Sequence, residues 1–372
     1  MFKHAFCAPV ALALTLPLLV AAASPQQAEA PSPVLSSGFT FTTAPYPQVH
    51  ASTIVETRAG TILAAWFGGT RERNPDVEIY VARLSGGTWQ PGVSVATGVQ
   101  PDGTRLPTWN PVLFQPKNGP LTLFYKVGPS PQTWRGMVIT STDDGRTWSK
   151  PRRLPDGILG PIKNKPVELA DGSWLSPSST EKAGNRWALH FERSADGGKT
   201  WQASAPVESP EGIDAIQPSI LFHKDGQLQT VARTREGVLA ASWSKDGGKS
   251  WSALSAIDLP NPNSGTDAVT LADGRQLVVY NHSAHSYARA GKGLRYPINV
   301  AISDGGVAWR KVLTLESKPL GAGYAYPAVI QARDGRVHIT YTWDRKRIRH
   351  VVLDPARLPR GDWADSPVVA GD

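Results

Sequence analysis

Short apolar runs, each opened by a polar residue followed by Pro or Ala, recur along the whole chain. They begin at His50, Asn110, Lys165, Gln217, Asp267 and Tyr326, 50 to 60 positions apart. Each run leads into a turn that ends on glycine (Gly60, Gly119, Gly172, Gly226, Gly274, Gly335) and then into a second apolar alternation, such as Thr61 to Trp66 or Gln276 to Tyr280. Asn-Gly and Asp-Gly between apolar runs mark hairpins, because glycine takes positive φ at no steric cost. A third run closes most units, for example Met137 to Thr140 or Leu239 to Trp243. A repeat of this period is a ring or array of supersecondary units. Six strand–turn–strand–strand units predict an all-β six-bladed β-propeller. A strand-like piece from Phe39 to Thr43 is placed to complete the last blade. The six opening residues then belong to innermost strands and point into one central cavity.

Composition agrees. With 35 Gly and 32 Pro, few uninterrupted helical windows remain. At the N-terminus Lys3 and His4 precede an apolar run from Pro9 to Ala23, with small-residue cleavage options after it. This reads as a signal peptide and linker over residues 1–30, too short to serve as a membrane span, ahead of a single domain over 31–372. A periplasmic or secreted protein is expected, with no stable membrane insertion after processing. The only cysteine, Cys7, lies in that segment, so the processed chain has no disulfide and no thiolate metal site. The net charge of +8 survives removal of Lys3 and Glu29 together. The basic residues are scattered and lack interleaved aromatic residues, which argues against nucleic acid and for an acidic glycan as partner. His282 and His285 share the spacing of a metal pair only; a loop role is favoured, and neither metal nor cofactor is expected. A monomer is expected.

The most specific motif falls at the blade borders: Ser141-Thr142-Asp143-Asp144-Gly145-Arg146-Thr147-Trp148, Ser194-Ala195-Asp196-Gly197-Gly198-Lys199-Thr200-Trp201 and Ser244-Lys245-Asp246-Gly247-Gly248-Lys249-Ser250-Trp251. Degenerate copies end at Trp89 and Trp309. These are hairpin turns in which Asp bonds local backbone and Trp packs back on the sheet, with no catalytic role. They are Asp-boxes, or BNR repeats, and with the six-fold strand repeat the chain resembles the sialidase superfamily. The resemblance implies a site at the pore mouth and a terminal acidic sugar as substrate. It also implies three Arg on the sugar carboxylate, an Asp acid/base, and a Tyr nucleophile activated by a Glu. On that pattern Tyr326 matches the nucleophile, Arg295 the third Arg and Arg233 the second. His50 stands where the first Arg is expected, and Gln217 where the Glu is expected. The acid/base position falls within Arg71-Glu72-Arg73-Asn74-Pro75-Asp76, where counting from Arg71 selects Asp76 and counting back from Glu78 selects Asn74.

The candidate catalytic residues are therefore Tyr326, His50 and Asp76. Arg71, Arg233, Arg295, Asn110, Lys126, Lys165, Gln217 and Asp267 are candidates for substrate binding. Two chemistries suit them. In hydrolysis Tyr326 attacks the anomeric carbon, or His50 activates water, while Asp76 protonates the leaving oxygen. In β-elimination Arg233 and Arg295 neutralise a uronate carboxylate, and His50 and Tyr326 exchange the C5 proton for one on the departing oxygen. A lyase using His50 as base gains activity as pH rises through the ordinary histidine value of about 6.5. Hydrolysis leads, elimination is the alternative, and a non-catalytic glycan-binding propeller is the third reading. Structural alternatives stand beside each assignment: His50 as a satisfied inner-strand histidine, Tyr326 as channel filler, and the two Arg as partners of Asp267 or Asp76.

Overall fold

The computed structural model describes residues 1–5, 31–182, 186–283 and 293–359. Residues 6–30 of the expected signal segment and linker, and His285, lie outside the described residues. The chain divides into Met1–Pro31 and a compact unit from Ser32 onward. That unit is all-β: among its described residues the only helical piece is the 3-10 turn Pro355–Arg357.

Six antiparallel sheets follow one another as blades. The inner strands are Gln48–Glu56, Thr108–Phe114, Val167–Glu168, Ala215–Phe222, Asp267–Thr270 and Tyr324–Gln331. Blade 6 is closed on its outer edge by Val34–Phe39, which pairs antiparallel with Arg347–Leu353. This strand lies upstream of the expected Phe39 to Thr43. Past Phe39 the chain leaves the sheet because its aromatic residues have better partners on blade 1. Phe41 packs 5.0 Å from Trp66, and Tyr46 accepts a hydrogen bond from Trp66 Nε1 at 2.8 Å. Phe39 itself is half-buried and packs edge-on against Trp343. Between blades the outward faces of adjacent sheets share cores, such as Leu63, Phe67 and Ile79 of blade 1 with Leu123, Tyr125 and Ile139 of blade 2.

The Asp-boxes behave as hairpin locks. Asp143 Oδ1 accepts the backbone N–H of Arg146 and Thr147, while Oδ2 accepts the Thr147 hydroxyl at 2.6 Å. Asp196 and Asp246 repeat the pattern on Thr200 and Ser250. Hydrogen bonds from these hydroxyls and N–H groups hold Asp143 and Asp196 far below the usual carboxylate range, and Asp246 at about 2.

Pairing fixes which residues share a level in the pore, and it changes the expected phase. All six turn glycines have positive φ, and the residue nine positions before each is Ala51, Asn110, Lys163, Gln217, Gly265 or Tyr326. These six form the upper ring. Four of them, Ala51, Asn110, Gln217 and Tyr326, have positive φ between 37° and 58° and sit in register breaks of their strands. A bulge at this point bends the strand and re-aims the side chain, here at a cost of about 1–3 kcal/mol per left-handed non-glycine residue. His50 therefore lies one residue before the ring, and Lys165 and Asp267 two residues deeper.

Candidate active site

The upper ring opens into a cavity of about 860 Å³. Asn110, Gln217 and Tyr326 line it from the inner strands. The connections between second and third strands reach the same end of the propeller. They bring Glu72 and the exposed Arg71 from blade 1 and Arg345 from blade 6, while Glu181 and Trp187 come from the facing ends of the second and third strands of blade 3. Arg233 and Arg295 complete the cationic wall.

Tyr326 is the centre of the site. Its hydroxyl accepts hydrogen bonds from Gln217 Nε2 at 3.1 Å and Arg233 Nη1 at 3.0 Å. Arg233 Nη1 also reaches Gln217 Oε1 at 3.2 Å, and its Nε donates to Asn263 Oδ1 at 2.7 Å, so the guanidinium is fixed in one orientation. The Arg295 guanidinium carbon lies 5.7 Å and that of Arg233 5.9 Å from the Tyr326 ring centre. Burial and the nearby Arg233 charge pull Arg295 down to about 10. A third guanidinium, Arg345, adds to the same field and is held 2.6 Å from Glu72.

Below the phenol, Lys163 plugs the channel. Its ammonium donates to Asn164 Oδ1, Thr266 O and Pro327 O and lies 5.8 Å from the Tyr326 ring centre. Burial lowers it to about 7, against the pull of Asp267. One level deeper Lys165 and Asp267 pair at 3.0 Å. Asp267 also accepts from Ser219 Oγ, Ala268 N and Val329 N.

Several expectations are corrected by these placements. Lys165 and Asp267 do not line the cavity; they tie blades 3, 4, 5 and 6 together, and Lys165 instead borders a small depression that it shares with Glu56 and Gln331. Lys126 is fully buried, donating to Pro161 O at 2.7 Å, and its burial lowers it to about 7. Asp76 does not line the cavity, because its carboxylate accepts the backbone N–H and hydroxyl of Thr70 at 2.8 and 2.7 Å. The carboxylate that enters from its loop is Glu72. His50 is 2% exposed, packs its ring 4.2 Å from that of Tyr326, and bonds Thr342 Oγ1 through Nδ1. Burial, reinforced by Arg345, Arg295, Arg233 and Lys163, drives it well below 6.5, so the imidazole is neutral. Tyr326, Gln217, Asn110, Arg71, Arg233 and Arg295 do share the cavity. Arg345, Glu72, Glu181 and Lys163 were not among the sequence candidates. Lys163 is found by counting back from Gly172, and the others by listing every ionisable residue in the connections between second and third strands and in the strand ends beside them.

Among the described residues no group of His, Cys, Asp or Glu is placed to hold a metal ion, and no helix is long and apolar enough to cross a membrane.

A six-bladed propeller with a Tyr–Arg site at its pore mouth is the architecture of the sialidase superfamily. Residues 60–339 match the model of the BNR repeat-like domain, and the chain belongs to that family. Among solved structures, a protein of unknown function from Dyadobacter fermentans superposes with a TM-score of 0.70 at 19% identity, over 86% of this chain and 98% of that one. The Hadza microbial sialidase Hz136 gives 0.69 at 18% identity, over 84% and 66%. The intramolecular trans-sialidase from Ruminococcus gnavus, in complex with oseltamivir carboxylate, gives 0.66 at 13% identity, over 84% and 96%. At these identities the likeness establishes a common fold. No curated protein sequence matches significantly.

Proposed function

We propose that this protein is an exported, monomeric glycosidase that hydrolyses the bond to a terminal acidic sugar. The observation that carries the proposal is the convergence of Arg233, Arg295 and Arg345 around a phenol that already accepts two N–H donors. Guanidinium offers planar paired donors that fit a carboxylate and keeps its charge when desolvated. The acidic sugar is held by its carboxylate with the anomeric carbon over the Tyr326 oxygen. As the phenol loses its proton to cavity water, since Gln217 cannot take it, the N–H groups of Arg233 and Gln217 stabilise the negative charge that develops on the oxygen, and that oxygen then attacks the anomeric carbon. The sialidases and trans-sialidase among the structural neighbours support this substrate class. Export rests on the apolar N-terminal run after Lys3 and His4.

β-Elimination at a uronate is the second reading, favoured by Gln217: without a carboxylate beside Tyr326, the Tyr–Arg pair suits proton transfer as well as nucleophilic attack. Incubation with a sialyl-lactose and with a uronate-capped oligosaccharide separates the two. Free acidic sugar without new ultraviolet absorbance supports hydrolysis. Absorbance of an unsaturated uronate replaces it with elimination. Binding of acidic glycans on an array, with no product from any of them, leaves a lectin and overturns the enzyme.

A further inference from the structure

Hydrolysis needs a group that protonates the departing oxygen, and Asp76 is spent on Thr70. Among the described residues two carboxylates line the cavity, Glu72 and Glu181. Glu72 is committed to Arg345 at 2.6 Å. Glu181 is different: among the described residues its carboxylate takes part in no hydrogen bond or ion pair. It stands near the end of the second strand of blade 3, directly across the hairpin from Trp187. The Trp187 ring carries Arg235 at 3.8 Å and Arg233 at 5.2 Å on its face, and Arg233 in turn holds the Tyr326 hydroxyl. One hairpin thus supplies an uncommitted carboxyl group and an aromatic plate, one guanidinium away from the reacting phenol.

We infer that Glu181 is the acid that protonates the leaving oxygen, with Trp187 as the platform for the leaving sugar. The inference rests on the hydrolytic reading and deepens it. When the bond from the anomeric carbon to the glycosidic oxygen breaks, the Glu181 proton goes to that oxygen and leaves a carboxylate. The water that completes hydrolysis gives its hydroxyl to the anomeric carbon as the bond to the Tyr326 oxygen breaks, and its proton goes back to Glu181; the released phenolate regains from cavity water the proton it lost, so the enzyme is regenerated. Burial holds Glu181 above the ordinary carboxylate range, in spite of Arg233, Arg235 and Arg73 and with help from Glu72, which keeps it protonated where a solvated glutamate is ionised.

The test uses Glu181→Gln on the whole protein with two acidic glycosides, one with a sugar as leaving group and one with a nitrophenol. Nitrophenol departs without protonation, so a lost acid affects only the first. General acid catalysis contributes about 100-fold or more, so kcat on the sugar-linked substrate falls by about that factor, while the nitrophenyl substrate loses less than about 10-fold. In the wild type kcat on the sugar-linked substrate falls as pH rises through the Glu181 titration, and in the variant that limb disappears. Equal losses on both substrates, or none on either, overturn the role of Glu181 and leave the glycosidase standing. A wild type inactive on every acidic glycoside overturns both. Should the variant not fold, carboxyl carbon resonances of Glu-labelled wild-type protein decide: a cavity glutamate titrating above the ordinary range supports the assignment, and its absence removes it.

Discussion

Replacing Asp267 with Ala separates a structural clamp from a substrate-binding residue without any knowledge of the substrate. The carboxylate is 2% exposed and its Lys165 partner 22%, so the pair is largely desolvated. It also accepts hydrogen bonds from Ser219 Oγ and from the backbone N–H of Ala268 and Val329, joining the inner strands of blades 4, 5 and 6. Removing one partner of a buried ion pair costs about 3–5 kcal/mol, because the other charge is left uncompensated. With an unfolding entropy of about 2.1 cal/mol/K per residue, a unit of about 340 residues loses about 1.4 °C in Tm per kcal/mol. Asp267→Ala therefore lowers Tm by about 4–7 °C in a calorimetric or circular-dichroism melt. KM for an active substrate stays unchanged, since Asp267 does not border the cavity. An unchanged Tm together with a raised KM would return Asp267 to the substrate site and refute the pore register deduced from the turn glycines.

Tyr326→Phe removes the oxygen that Gln217 and Arg233 address and lowers turnover by about 10³-fold or more with the fold retained, while near wild-type turnover would remove Tyr326 from the mechanism. Stability falls on acidification in two stages. His50, His338, His282 and His350 are held below 6.5 chiefly by burial, so below that value the unfolded chain takes up protons the native state refuses, and the urea midpoint drops between pH 7 and 5. The Asp-box carboxylates are held down instead, so their contribution is complete above about pH 4 and fades as pH falls toward 2. A urea midpoint that rises from pH 7 to 5 would contradict the burial of these imidazoles. Turnover gives the matching check on His50: held well below 6.5 by burial, it contributes no rise in activity near pH 6.5, and such a rise, lost in His50→Gln, would show that it titrates there as a base.

The fold was legible because its signals are local and repeated. Glycine turns, apolar alternation and the Ser-x-Asp boxes each act within a few residues, and six copies of turn and alternation in phase, with three boxes between them, leave one architecture. The pore phase was harder to read. The polar-Pro/Ala-apolar pattern was anchored at strand starts, where bulges at Ala51, Asn110, Gln217 and Tyr326 change the count, and where the inner strands of blades 3 and 5 begin late, at Val167 and Asp267, past their ring positions. The turn glycine is the better anchor because its positive φ fixes the hairpin end of the strand, which carries no bulge. That anchor gives Lys163 for Lys165, Gly265 for Asp267 and Ala51 for His50.

The same displacement explains why the charges of the site were half visible. The resemblance leads one to look for an Arg at the head of the first inner strand and a carboxylate beside the tyrosine. Both places are neutral in this chain, held by Ala51 with the buried His50 and by Gln217. The cationic and acidic groups are present but arrive at the far ends of the second and third strands: Arg345 of blade 6 and Glu72 of blade 1 on the connections, and Glu181 of blade 3 at the strand end. Such loops carry no periodicity that would mark which of their residues face the pore. Closing the ring brings them together: Arg345 and Glu72 come from the last and first blades, so their pairing spans the junction that Val34–Phe39 and Phe41 also seal. The chemistry of this site thus depends on closure of the propeller, and it is assembled by residues that no stretch of the sequence places side by side.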